Sequence, residues 1–77
     1  MRFTVRISNT LRCITDGLPQ KVSVERAEPL TVSQLAAELG VPPILVVNAF
    51  VNGVKQDLNH QLIDDAEIAF MGPVAGG

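Results

Sequence analysis

The segment over residues 31–40 most constrains the fold, because it predicts one short helix with a single apolar face. Thr31 and Gln34 have the spacing of a capping box at the first turn of a helix. Gly40, which is closely followed by two prolines, predicts where the helix ends. Apolar residues recur with helical spacing at Val32, Leu35, Ala36 and Leu39. Because the apolar face covers only one side, we expect the helix to lie against a sheet.

Alternating apolar and polar residues predict strands on both sides of this helix. The predicted strands cover residues 2–8, 21–27, 46–51, 54–56 and 66–71. The first two are expected to form an antiparallel hairpin with a long, turn-rich loop over residues 8–20. Asn52-Gly53 predicts a tight hairpin turn between the third and fourth strands. Leu62 and Ile63 are expected to anchor the irregular polar segment before the last strand.

Two strands, one helix and three further strands predict an α+β fold, with a mixed sheet and the helix packed across one face. The 77 residues allow one domain, which we place at residues 1–71 and follow with an extended tail at residues 72–77. Ile44-Leu45, after the prolines, could instead form a single helical turn.

Composition excludes several classes of function. The net charge of -2 does not favour nucleic acid or membrane partners, and one Cys with one His cannot fill a zinc site. A single Cys also excludes a disulfide framework. Without such a framework we expect a reducing, cytoplasmic setting. No apolar run is long enough to cross a membrane, and no secretory leader is evident.

Few side chains are suited to catalysis. His60 lies in a polar stretch, and Cys13 beside Arg12 has no second Cys or His near it in sequence. The acids between Asp57 and Glu67 could include a carboxylate pair, although a solvated acidic loop accounts for them better. We therefore expect no catalytic side chain, no metal and no bound cofactor.

The last six residues differ from the rest of the chain. They carry no charge, and fully extended they would reach about 20 Å beyond the domain. Pro73 removes a backbone donor, and the side chains become smaller from Val74 to Gly77. Glycine can thread a channel too narrow for larger residues. Composition alone is equally compatible with a threading tail and with a frayed terminus.

The segment from Leu62 to Gly77 resembles the C-terminal signature of the MoaD/ThiS family of small sulfur carriers. The matching residues are Leu62, Asp64, Glu67, Ala69, Phe70, Pro73, Val74, Gly76 and Gly77. Val51-Asn52-Gly53 also resembles the family's hairpin. The resemblance implies a β-grasp, ubiquitin-like fold of order β-β-α-β-β-β over the whole chain. Asp65, Ala66 and Gly72 depart from the signature, and Gly72 is expected to make the root of the tail more flexible.

The resemblance also implies a chemistry at the C-terminal carboxylate of Gly77. A ubiquitin-activating-type adenylyltransferase would adenylate this group with ATP and Mg²⁺, and sulfur would then replace one oxygen to give a thiocarboxylate. The residues that would thread into the partner enzymes are Pro73, Val74, Ala75 and Gly76. The protein itself would be a carrier rather than an enzyme, and a second enzyme would accept the sulfur.

The choice of sulfur acceptor rests on weaker features. The long first loop with Leu11-Arg12, together with the ending Pro-Val-x-Gly-Gly, favours the small subunit of molybdopterin synthase, which works with a MoaE-type large subunit. One alternative is a ThiS-type carrier for thiazole synthesis. Others are a ubiquitin-like modifier joined to target lysines through Gly77, and a plain β-grasp binding module.

An apolar docking patch is expected on the uncovered face of the sheet, near the tail. It consists of Phe50, Ala69 and Met71. The assignment assumes that Val47, Ala49 and Val51 point inward from the third strand. Alternatively, Leu11 and Ile14 of the long first loop could cover part of the patch.

Overall fold

The structure, a computed structural model, describes residues 1–73. Its elements are β1 (Arg2–Ile7), α1 (Asn9–Ile14), β2 (Lys21–Glu25), β3 (Leu30–Thr31), α2 (Val32–Glu38), a 3-10 turn (Pro43–Leu45), β4 (Asn48–Val51), β5 (Val54–Gln56), β6 (Gln61–Leu62) and β7 (Ala66–Met71). Of the predicted tail, only Gly72 and Pro73 are described. The predictions for Val74, Ala75, Gly76 and Gly77 concern residues outside the described part.

The main sheet has the strand order β2-β1-β7-β4-β5, so the last strand lies in the centre. β7 runs parallel to β1 and antiparallel to β4, which makes the sheet mixed. The predicted hairpin of β1 and β2 is confirmed, with Val5 opposite Val22. The hairpin at Asn52 and Gly53 is also confirmed, and both residues have the positive φ that such a turn requires.

Helix α2 begins and ends where the sequence predicts. The Thr31 hydroxyl accepts a hydrogen bond from the Gln34 N–H at 3.0 Å, and the Gln34 side chain accepts one from the Thr31 N–H at 2.8 Å. Gly40 follows the helix with a φ of 82°, a value favourable only for glycine. The small sheet of β3 and β6 lies at the start of α2, where the Val32 N–H donates to the His60 carbonyl.

The core lies between α2 and one face of the main sheet. β1 and β7 contribute their alternate residues, of which Phe3 and Phe70 are the largest and are fully buried. The helix contributes Val32, Leu35 and Ala36, as its apolar spacing predicts. A mixed sheet with one helix packed across one face is the expected β-grasp arrangement.

The structure differs most from the prediction between β1 and β2. The loop expected over residues 8–20 contains helix α1, which begins after Ser8 and buries Leu11 completely. Asn9 and the turn residues after Ile14 suggest a loop, and six residues are too few to display a periodic apolar face. The burial of Leu11 depends on contacts with distant parts of the chain.

Three smaller predictions about the second half are wrong, and one open alternative is confirmed. The third strand begins at Asn48 rather than at residue 46, and Val47, which was expected to point inward, is 58% exposed. The alternative of a single turn at Ile44-Leu45 is the correct one. Ile63 is 71% exposed and anchors nothing, whereas Leu62 is buried through its position in β6.

Candidate functional site

The end of the central strand is held by hydrogen bonds from both sides. On one side, the Ser8 N–H donates to the Phe70 carbonyl at 3.0 Å, and the Gly72 N–H donates to the Ser8 hydroxyl at 3.1 Å. On the other side, the Val47 N–H donates to the Met71 carbonyl at 2.8 Å. These three bonds define the point from which residue 73 leaves the sheet. We call this hydrogen-bonded end of β7, at Met71 and Gly72, the clamped root.

Gly72 is buried at this point and has no room for a side chain. An added Cβ would lie 2.8 Å from Leu11 Cγ and 2.9 Å from Thr10 Oγ1. The expectation that Gly72 loosens the root of the tail is therefore wrong: the residue packs tightly against α1 and donates a hydrogen bond to Ser8. Proline at this position could not donate that bond.

The predicted patch residues lie together on the face of the sheet opposite α2. Phe50 lies directly opposite Ala69 in the pairing of β4 with β7, and Met71 lies opposite Asn48. Phe50 and Ala69 are half-buried, and Met71 is 42% exposed.

The alternative, in which residues of the first loop cover the patch, receives no support from α1. Leu11 lies in the core against Gly72, and Ile14 is itself 55% exposed. The structure therefore leaves an apolar surface beside the point where the tail begins.

The acidic residues near β7 organise loops. The Asp65 carboxylate accepts a hydrogen bond from the Arg2 N–H at 2.7 Å, which ties the segment before β7 to the start of β1. The Asp57 carboxylate accepts one from the Asn59 N–H at 3.1 Å within its own turn. The departure of Asp65 from the family signature thus has a structural role, and the loop interpretation of these acids fits better than a catalytic pair.

The remaining candidates for chemistry lie apart from one another. Cys13 is a free, exposed thiol on α1, whereas the His60 carbonyl caps the start of α2. Within residues 1–73, no three His, Cys, Asp or Glu side chains are grouped closely enough to hold a metal ion. In the same part of the chain, no helix is long and apolar enough to cross a bilayer.

A β-grasp sheet whose central strand leads into a glycine-rich C-terminal segment defines a small ubiquitin-like carrier domain. The chain belongs to the ThiS family, whose model matches residues 5–77. Carriers of this family work with an activating enzyme and with acceptor enzymes. The matched region includes β7, the clamped root and the Gly-Gly ending.

A solved structure agrees with this assignment. The crystal structure of SAMP1 from Haloferax volcanii matches with a TM-score of 0.69 over 100% of both chains, at 22% sequence identity. At this identity the likeness concerns the fold alone, and it confirms the β-grasp architecture. Comparison with curated proteins returns no significant match.

Proposed function

We propose that this chain is a sulfur carrier that reacts through the carboxylate of Gly77. The observation that supports the proposal is the central position of β7, whose end is held on both sides and is followed in sequence by a six-residue segment ending in Gly-Gly, within the region that matches the family. Such an arrangement fixes the point at which the C-terminal segment leaves the sheet, next to the docking face. No side chain of this chain is required as a base or a metal ligand.

The reaction proposed for Gly77 needs activation because a carboxylate is a poor acyl donor. In the activating enzyme, the carboxylate oxygen attacks the α-phosphorus of Mg²⁺-bound ATP, and pyrophosphate leaves. Hydrosulfide (HS⁻) then attacks the acyl carbon of the adenylate, and AMP leaves with one of the former carboxylate oxygens on its phosphate, so that sulfur replaces that oxygen. The product is a thiocarboxylate, which is a soft nucleophile suited to sulfur transfer.

Within this mechanism the chain positions its C-terminal segment, and the partner enzymes supply the catalysis. The bonds from Ser8 and Val47 hold the root of the tail, and we propose that residues 73–76 thread into the partner's channel. Phe50, Ala69 and Met71 would dock against the activating enzyme, since they form a partly exposed apolar surface next to the root.

We further propose that the acceptor is molybdopterin synthase, in which this chain would be the small subunit beside a MoaE-type large subunit. The support is the long connection between β1 and β2, which contains α1, and the ending Pro-Val-x-Gly-Gly. Sulfur transfer to thiazole synthesis and conjugation to target lysines would use the same activated Gly77.

Intact-mass analysis after incubation with the activating enzyme, ATP, Mg²⁺ and a sulfur source tests the proposal. The expected result is exchange of one oxygen for sulfur at Gly77, with no change in a control variant that lacks Gly76 and Gly77. An unchanged mass under conditions that activate a known carrier would contradict the function.

The acceptor is then tested by adding candidate partners to the activated chain. Turnover of a pterin precursor by the large subunit is expected under the molybdopterin proposal, and turnover only by a thiazole-forming enzyme would replace it. Conjugates that survive boiling and reductant would identify a protein modifier instead.

A further inference from the structure

One row of side chains crosses all five strands of the main sheet on the face opposite α2. In spatial order it consists of Lys21, Arg6, Ala69, Phe50 and Lys55. Directly paired residues on neighbouring strands point to the same face. Since strands lie about 4.8 Å apart, the two cations that flank the apolar pair are separated by roughly 14 Å at the backbone.

The cations of this row have no ion-pair partner in the described part of the chain. The ion pairs found there join Arg2 to Glu25 and Arg26 to Glu38. Arg6 and Lys21 even lie directly opposite each other, an arrangement that destabilises a sheet slightly. Stability of the fold therefore does not account for the row, which is basic on a chain whose net charge is -2.

Two acids lie near the row without neutralising it. Glu67 faces the same side one pair further along β7, opposite Thr4, and Asp57 follows Lys55 by two residues. Neither forms an ion pair with the row. Both are exposed to solvent, where charges are screened over about 8–10 Å.

The centre of the row is concave. Ala69 is shorter than its neighbours Arg6 and Phe50, and the difference leaves a shallow depression of about 130 Å³ between them. This space corresponds to roughly four water molecules at about 30 Å³ each, which is enough for one apolar side chain. The depression is lined by Thr4, Arg6, Phe50, Gly53, Glu67, Ile68 and Ala69.

We propose that this face recognises an acidic protein surface that inserts one apolar side chain into the depression at Ala69. The partner's carboxylates would lie against Arg6 and Lys55 on either side of the inserted side chain. Interfaces commonly combine an apolar centre with complementary charges at the rim. A nucleic acid fits less well, because Glu25 and Glu67 occupy the same face and the centre of the row is apolar. The inference rests on the proposed function for the choice of partner, which is the activating enzyme.

The test is a direct binding measurement between the chain and the activating enzyme without ATP, at low and at physiological salt. The double variant Arg6→Gln with Lys55→Gln changes the net charge from -2 to -4 by removing two positive charges. A matched control, Ala27→Glu with Ala37→Glu, reaches the same net charge at two exposed positions away from the open face.

We expect the Gln pair to raise Kd about tenfold at low salt and to reduce the salt dependence, with the control within about twofold of the original chain. Ala69→Leu, which fills the depression, should weaken binding while thermal unfolding shows an intact fold. Equal Kd and equal salt dependence for the Gln pair and its control would overturn the inference, as would unchanged binding of Ala69→Leu.

Activation of Gly77, measured separately with ATP, keeps the two proposals distinct. Charge-dependent binding without adenylation contradicts the proposed function and leaves the recognition surface standing. Adenylation with charge-independent binding supports the proposed function and overturns the proposed recognition surface. Absence of both binding and adenylation overturns both proposals. Charge-dependent self-association, seen by sedimentation of the chain alone, would assign the face to a second copy and overturn the proposed partner.

Discussion

Replacing Gly72 with alanine tests the account of the clamped root most directly. The new Cβ would lie 2.8 Å from Leu11 Cγ and 3.0 Å from Leu11 Cδ2. Carbon atoms prefer separations of about 3.5–4.0 Å, so the overlap is of order 0.5–1 Å. Leu11 is fully buried and cannot turn away without disturbing the core.

The expected loss of stability follows from these distances. Overpacking of this kind lowers the free energy of unfolding by about 1–3 kcal/mol. Alanine also restricts the unfolded chain, which returns about 0.4–1 kcal/mol. We therefore expect a net loss of about 1–2 kcal/mol, which for a domain of this size lowers Tm by roughly 5–15 °C.

Urea and thermal unfolding measure the effect, and a double-mutant cycle assigns it to the contact. In a Leu11→Ala background both crowded carbons are absent and only the close contact with Thr10 Oγ1 remains, so Gly72→Ala should then cost clearly less than in the original chain. Sulfate in the buffer keeps the weakened background folded by strengthening apolar burial. A Gly72→Ala protein as stable as the original, or an equal cost in both backgrounds, would refute the reasoning.

Three further variants test the assignment of elements and faces. Thr31→Ala should lower the free energy of unfolding by about 1 kcal/mol in urea, because the cap of α2 is lost; an unchanged midpoint would contradict the capping role. Phe70→Ala should cost about 3–5 kcal/mol and leave the domain largely unfolded by circular dichroism, since its ring is fully buried. Phe50→Ser with Met71→Ser should weaken binding to the activating enzyme while Tm falls only slightly; collapse of the fold would place these residues in the core instead.

Much of the fold could be predicted from local sequence because local interactions specify it. The cap of α2 depends on Thr31 and Gln34, which lie within one turn of each other. The turn at Asn52 and Gly53 depends on the backbone freedom of two adjacent residues. Alternation in residues 66–71 assigns Phe70 to the core and Met71 to the open face. These features need no knowledge of the rest of the chain.

Parts of the candidate site depend on residues that are far apart in sequence. The hydroxyl of Ser8 meets the N–H of Gly72 across 64 positions, and helix α1, which presents Leu11 to Gly72, is too short to show a periodic pattern. The row from Lys21 to Lys55 exists only in the register of five strands.

The sequence by itself determined the fold class, the helix α2, the family resemblance and the Gly-Gly ending on which the proposed chemistry rests. Only the tertiary structure decided that Gly72 is packed rather than loose, and that three cations line the same face as Phe50. The physical reason is the sequence separation between the residues that interact. Capping, turns and alternation are set by neighbours a few residues away, whereas the clamp and the charged row arise from strand register and from packing between distant segments.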